Sequence, residues 1–419
     1  MEIRSQIGKG RAAERGRRQD TVGRRSSRPG RRHHASAAQT IGNFIRATRE
    51  SQSLSQERLA ELTNGKPGRV SRAMISAVER GLHLPGLEVL LTLSQVLHIS
   101  PNEVLERLEL SRTESVDAEG LTREEMGHLA VECFWAGDYR RAAGWYDAML
   151  RALAGPPPAD PAEEKLQIAK IEIPRGAALR RCGATNAARA AVERAISLTD
   201  DEPEFQCRAY VVLAALLIQL GCLPLARDAA DRAVQLSESA SLRTQGWAWI
   251  EKGEALAASG KFADARLAFL EAGRRVRRAG DRNHEINVEG NIGWCLECVG
   301  DRRRARARYR KAIELARSYK VPASEALWLV SLGRLSFLEH DTEQADDCAV
   351  AALAIAKPRE IPLTTFRAEW LRHLVHRSTR PADSDRHRVA FLKKLYARLD
   401  QHRGVDEINE FERTYCPAR

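Results

Sequence analysis

Residues 53–81 read SLSQERLAELTNGKPGRVSRAMISAVERG, and no other stretch of the chain carries denser local signals. Ser55 is placed to cap a helix, Glu57 stands in its first turn where a carboxylate complements the positive helix end, and Leu59 and Leu62 share one face. Asn64-Gly65-Lys66-Pro67-Gly68 then breaks the helix, since two glycines and a proline cannot continue it. A second helix starts beyond the break. Ser71 is its cap, Ile75 and Val78 lie three apart on the side to be buried, and Gly81 supplies a left-handed stop. Arg72, Ala73, Ser76 and Ala77 are left on the outer face. Short or basic side chains there let a helix approach base edges in a DNA major groove, so the segment predicts a helix-turn-helix.

The flanking sequence supplies three more helices. IGNFIRATRE (41–50) precedes the motif, and LPGLEVLLTLSQVLHISPNEVLERL (84–108) follows it, with Ser100, Pro101 and Glu103 forming a cap, a first-turn proline and a capping-box acid for the last helix. Five segments in this order resemble the DNA-binding domain of lambda-repressor and Cro-like (Xre-type) regulators, over about Thr40 to Leu110. The turn between the second and third helices, through Gly65 to Arg69, is about five residues longer than is usual in that family. The resemblance implies that Gln56 meets a phosphate and that Arg49 pairs with Glu79 to brace the first and third helices. Arg72 is the candidate for reading a guanine, because its fork can donate to both O6 and N7. Arg69, Ser71, Ala73, Ser76, Ala77 and Arg80 complete the expected DNA-binding set. Each of these side chains alone also fits a solvated surface position; the five-segment pattern is what gives them weight.

The net charge of +11 over 419 residues invites a nucleic-acid reading, but most of it sits in one place. Residues 1–37 hold 11 Lys plus Arg against 3 Asp plus Glu. Few apolar residues lie there, so the stretch is expected to be a disordered basic tail. Such a tail strengthens non-specific phosphate binding or reaches into a minor groove; a solvated segment without a role, and a start codon assigned too far upstream, are equally consistent readings. No run of 18 apolar residues is present to span a membrane, and no cleavable apolar leader is seen. Eight cysteines without framework spacing point to reduced thiols in a cytoplasm. Cys295 and Cys298 form a CxxC inside NIGWCLECVG, without a second pair, and read as buried structural thiols. His373 and His376 lack an HExxH context. The reading therefore includes no metal and no cofactor.

Beyond residue 120 the chain repeats. Gly137, Gly183, Gly221, Gly260, Gly300 and His340 follow one another at 46, 38, 39, 40 and 40 residues, each between two predicted helices. Five residues after each marker lies an alanine: Ala142, Ala188, Ala226, Ala265, Ala305 and Ala345. Seven before it lies Ala130, Gly176, Ala214, Gly253, Gly293 or Gly333, and a further alanine recurs at 195, 233, 272, 312 and 352. Helices packed side by side need small residues where their backbones approach, so the pattern predicts stacked antiparallel helix pairs. These units resemble tetratricopeptide repeats, six of them over about 121–357, longer than the usual repeat and lacking its full set of aromatic positions. Pro174 is expected to bend the first helix of the second unit.

The expected organisation is thus all-α: a tail (1–37), a five-helix DNA-binding domain (38–111), a linker (112–120), a tetratricopeptide-like α-solenoid (121–357), and a helical cap (358–419) with helices over 384–401 and 405–414. The family resemblance implies a concave face lined by the first helix of each pair, and counting from the markers places Arg180, Arg208, Gln219, Trp247, Glu254, Asn287, Trp294 and Arg334 towards it. Mixed amide, charged and indole groups suit an extended peptide; packing between helices is the competing account of the tryptophans. The whole resembles peptide-responsive quorum-sensing regulators of Gram-positive bacteria and similar regulators of actinobacteria. What this implies is a transcriptional regulator, dimeric, with double-stranded DNA and a peptide or protein effector as partners. A second reading is an interaction scaffold in which the DNA-binding module is secondary. No phosphate-binding glycine loop, nucleophile elbow or HExxH is present to support an enzyme.

Overall fold

The computed structural model describes residues 29–111, 116–153, 161–359, 361–379, 386–397, 399 and 406–415. Among these the chain is all helix, twenty α-helices and one short 3₁₀ turn. The N-terminal part comprises α1 (Pro29–Ser51), α2 (Gln56–Leu62), α3 (Arg72–Glu79), α4 (Leu87–Val96) and α5 (Pro101–Leu110). Ile41, Ile45, Leu59, Ile75, Val78, Leu93 and Leu97 form its core, each almost completely buried. The first helix corrects the expected boundary. It starts at Pro29, well inside the stretch read as tail, and Ala37 and Ala38 are buried. Low hydrophobicity argued for disorder, whereas the alanines of HHASAAQT continue the helix on good propensity. The expected tail over 1–28 lies outside the described residues.

Six antiparallel pairs follow: α6 (Arg123–Ala136) with α7 (Tyr139–Leu153), α8 (Pro161–Arg181) with α9 (Thr185–Ser197), α10 (Pro203–Gln219) with α11 (Leu223–Leu236), α12 (Leu242–Ala258) with α13 (Phe262–Arg278), α14 (Arg282–Cys298) with α15 (Arg302–Ser318), and α16 (Pro322–Leu338) with α17 (Thr342–Ala356). The five marker glycines have φ between 74° and 86°, and His340 takes the same left-handed turn at 64°. Chain reversal after each first helix needs that conformation, which glycine adopts without steric cost. In the last two units an aspartate reinforces three of the four helix starts: the side chains of Asp281, Asp301 and Asp341 accept from the backbone N–H of His284, Arg304 and Gln344.

All six alanines that follow the markers are fully buried, as are Ala195, Ala233, Ala272, Ala312 and Ala352. The small residues ahead of the markers sit against bulky partners. A Cβ on Gly253 would lie 2.6 Å from Phe269, and one on Gly293 2.9 Å from Tyr309. α8 runs unbroken through Pro174. Of the CxxC pair Cys295 is buried but Cys298 is exposed, which corrects the expectation for the second thiol: it lies on the last turn of α14, past the packed face. After the repeats, α18 (Pro362–Thr379), α19 (Arg386–Tyr396) and α20 (Asp406–Tyr415) pack around Phe366, Trp370, Leu392, Ile408 and Phe411. α19 ends at Tyr396, earlier than the sequence suggested, and its expected start at 384 lies outside the described residues. No helix among the described residues is long and apolar enough to cross a membrane.

Candidate DNA-binding face and repeat groove

The first and third helices are held together by one buried ion pair. Arg49 Nε and Nη2 donate to the two carboxylate oxygens of Glu79 at 2.6 and 3.0 Å, and Nη1 donates to the Leu54 carbonyl at 2.7 Å. This is the brace expected between α1 and α3. Gln56 Nε2 donates to the same carboxylate at 2.7 Å, so its amide is committed to the brace rather than pointing free into solvent. The long turn is also organised. Thr63 Oγ1 receives the Val70 N–H at 3.0 Å, and Gly68 lies so close to α4 that a Cβ would come within 2.3 Å of the Glu88 carbonyl oxygen.

α3 buries Ile75 and Val78 and exposes the opposite side. Ser71 caps it, its hydroxyl accepting from the Met74 N–H at 3.2 Å. Arg69, Ser71, Arg72, Ala73 and Arg80 are exposed, with Ser76 and Ala77 half-buried beside them. Arg72 is not idle: its Nε pairs with Glu57 at 2.6 Å across the outer rim of α2 and α3. Both side chains stay largely in water, so this contact is weak and gives way readily to a stronger acceptor. Met74, also exposed on α3, was absent from the expected set. Only its position one residue past Ala73 hinted at it.

In the repeats, all eight expected groove residues are half-buried and lie on first helices. Five are joined by cross-repeat hydrogen bonds or ion pairs. Arg180 Nη1 reaches Gln219 Oε1 at 3.4 Å; Asn291 Nδ2 donates to Glu254 Oε1 at 2.6 Å; Trp247 Nε1 donates to Asp281 Oδ2 at 2.9 Å; Arg334 Nη2 pairs with Glu297 at 2.8 Å. The guanidinium of Arg208 lies 5.5 Å from the Phe205 ring and 5.6 Å from that of Trp247. Trp294 meets Phe262 edge to face. Trp328, by contrast, is 6% exposed and stacked on Tyr309, and serves packing. The superhelix is tight enough that Trp135 on α6 touches the ring of His284 on α14.

Sequence reasoning missed several groups on this face. His284 shares the Asp281 carboxylate with Trp247, at 2.9 Å from Nδ1. Glu251, one turn before Glu254 on α12, has its carboxyl pushed up to about 8 by burial and by the Glu254 charge. Burial likewise raises Glu254, against the hydrogen bond from Asn291. Burial pulls Arg180 down to about 10 and lowers Arg208. Glu251 fell outside the reading because it precedes the small residue Gly253, at a position the marker count does not sample.

The two parts of the molecule meet through α5 and α9. Glu109 accepts from the Ala187 N–H at 2.9 Å and from Asn186 Nδ2 at 3.0 Å, capping the start of α9 from another domain. An ion-pair chain continues inward: Glu106 with Arg194 at 3.5 Å, Arg194 with Glu172 at 2.9 Å, Glu172 with Arg175 at 2.9 Å, and Arg175 with Asp147 at 2.6 Å.

Comparison with known proteins agrees with this division. Residues 45–104 match the helix-turn-helix family and residues 244–318 the tetratricopeptide repeat family. No curated protein matches the chain. Among solved structures, a Rap protein complexed with competence and sporulation factor is 12% identical over 85% of this chain and 88% of its own, with a TM-score of 0.51. The Rap conjugation gene regulator of plasmid pLS20, in complex with the Phr* peptide, is 13% identical over 89% of this chain and 96% of its own, also at 0.51. PlcR of Bacillus thuringiensis, in complex with the peptide PapR7 and DNA, is 14% identical over 69% of this chain and 99% of its own, at 0.42. The chain joins an Xre-like helix-turn-helix DNA-binding domain to a tetratricopeptide-repeat domain.

Proposed function

We propose that this protein is a sequence-specific, DNA-binding transcriptional regulator of the cytoplasm whose repeat domain holds two copies together and takes a peptide effector in its concave face. One observation carries the reading: α3 turns Arg72, Ala73 and Ser76 outward from a braced domain that is docked on the repeats, whose inner surface is polar and aromatic. A helix with short and basic side chains on its free face suits base edges, and a concave surface with amides, indoles and charges suits an extended peptide backbone. The pLS20 Rap regulator, similar to this chain in fold, is in complex with the Phr* peptide.

In this reading Arg72 reads a base after leaving Glu57, and Gln56 sets α2 against a phosphate after loosening from Glu79. Ser71, Ala73, Ser76 and Ala77 line the approach, while Arg69 and Arg80 flank it. The effector contacts Arg180, Arg208, Gln219, Trp247, Glu254, Asn287, Trp294 and Arg334. The domains are assigned as 38–111 for DNA binding with α1 reaching further back, 121–357 for the repeats, and 358–419 for the terminal cap. Two copies suit two half-sites one helical turn apart.

The test is retention of fragmented genomic DNA by the full chain at physiological salt, followed by sequencing. Recovery of a small set of fragments sharing a half-site pattern supports the regulator. Binding that ignores sequence and vanishes with modest salt supports an interaction scaffold instead.

A further inference from the structure

Buried guanidiniums in this protein are mated almost everywhere. Arg49 has Glu79, Arg175 has Asp147 and Glu172, Arg334 has Glu297, and Arg367 has Glu407, all at 2.6 to 2.9 Å. Two are exceptions, and both lie on the inner helices of the repeats. The Nε atoms of Arg180 and Arg208 are buried with no hydrogen-bond partner, and neither side chain forms an ion pair among the described residues. The Arg180 guanidinium has one long hydrogen bond, from Nη1 to Gln219 Oε1 at 3.4 Å. Arg208 has only the faces of Phe205 and Trp247.

The neighbouring acids do not supply what is missing. Glu204, the acid nearest Arg208 in sequence, spends its carboxylate on the Ser241 N–H at 2.7 Å and the Thr244 hydroxyl at 2.6 Å. Glu254 is taken by Asn291. Glu251 and Glu254 act on Arg180 only at a distance and neither forms an ion pair with it, while burial and the Glu254 charge push the Glu251 carboxyl up to about 8. A guanidinium keeps its charge under all these conditions, and leaving it half-buried without an acceptor is costly. Among the described residues no group supplies that acceptor.

We infer that Arg208 and Arg180 are two anion sites for carboxylates of the ligand that occupies the concave face, so that the effector is an acidic peptide. This rests on the reading of that face as the effector site. The spacing narrows it further. Arg180 is level with Gln219, which lies eleven residues along α10 from Arg208, or roughly 16 Å at the helical rise. An extended chain covers that distance in about five residues. One anchor is Arg208, whose fork can take a carboxylate edge-on while Phe205 and Trp247 wall its faces, and the second is Arg180 beside the Gln219 amide.

The test uses a randomised heptapeptide library in two forms, with free and with amidated C-termini, incubated with the full-length protein; retained peptides are identified by mass spectrometry. Enrichment in Asp or Glu from both forms assigns the carboxylates to side chains, and enrichment confined to the free-acid form assigns one to the C-terminus; either supports the inference. Resynthesised peptides should then lose on the order of tenfold in affinity with Arg208→Gln and again with Arg180→Gln, while Arg208→Lys, which keeps the charge, loses less. Helical content and mass of each variant exclude unfolding as the cause. Retention of neutral or basic peptides, or unchanged affinity in the double variant, overturns the two anion sites and leaves the peptide-effector reading standing. Failure of the wild-type protein to retain any peptide defeats both.

Discussion

At the scale of the residue, most of the decisive side chains are charged groups whose state is set by what surrounds them. Glu79 is the clearest: it neutralises Arg49, receives Gln56, and is 4% exposed. Glu79→Ala strands a buried guanidinium, and urea unfolding should show a loss of roughly 3–5 kcal/mol; a cost under about 1 kcal/mol would mean the brace contributes nothing. Arg72 contributes little to stability because its pair with Glu57 is exposed on both sides. Arg72→Ala should instead cost roughly 1–3 kcal/mol at the best operator and much less on random DNA, whereas Gln56→Ala weakens both. Equal losses on the two DNAs for Arg72→Ala would remove its reading role. Glu251 and Glu289 respond oppositely to pH. The folded value of Glu251 is raised from 4.5 to about 8, so its contribution is full below 4.5 and is lost as pH rises through about 8. Burial opposes charge on Glu289 too, but hydrogen bonds from Lys311 and Arg308 hold its carboxyl below 4.5, so its contribution is present above 4.5 and is lost on acidification. Denaturation of Glu251→Gln should therefore flatten the decline in stability between pH 5 and 8, and an unchanged profile would show that the carboxyl is not what titrates.

At the scale of the element, the repeat works through small residues at two kinds of position, and substitutions separate them. Gly253 faces Phe269 with no room for a Cβ, so Gly253→Ala overpacks a helix pair and should cost roughly 1–3 kcal/mol by thermal or urea unfolding. Gly260 has open space around it but a φ of 75°, so Gly260→Ala pays only for left-handed backbone, about 1–2 kcal/mol. The two differ in what rescues them: trimming Phe269 to Leu should recover stability in the first and not in the second. This periodic use of small residues is why the solenoid was legible in the sequence, since the markers, the buried alanines and the turns all fall where spacing put them. The five helices around residues 53–81 were legible for the same reason, each start and stop having its own cap or breaker. The N-terminal boundary was not, because HHASAAQT lacks an apolar stripe and offers only the small side chains of Ala37 and Ala38 for burial. In the groove, spacing found the residues on inner helices but not their pairing. That Trp247 donates to Asp281, or that Glu251 lies near Arg180, depends on the curvature of the stack, which brings together helices one or more repeats apart.

At the scale of the whole molecule, the question is how an occupied groove would reach the DNA-binding face, and the contact between α5 and α9 gives a physical route. Glu109 satisfies backbone and side-chain donors at the start of α9, and the chain of charges from Glu106 through Arg194, Glu172 and Arg175 to Asp147 ties that joint to the first two helix pairs. α8 lies within this chain and also carries Arg180 towards the groove, so a ligand that shifts α8 at Arg180 moves Glu172 and Arg175 with it. Rigid helices are suited to this, because a small displacement at one end is carried to the other rather than absorbed. Glu109→Ala leaves the Ala187 N–H and the Asn186 amide without their acceptor, and should cost about 1–2 kcal/mol, the range for a lost helix cap. The loss is local to the joint. Amide hydrogen exchange should therefore quicken in α5 and in the first turn of α9 while α12 to α17 keep their protection, and the helices around residues 41–110 should melt at a lower temperature than the repeats instead of together with them. Uniform protection and a single coincident transition in Glu109→Ala would show that the joint is held by its apolar contacts alone, and would take the capping carboxylate out of any route between groove and DNA.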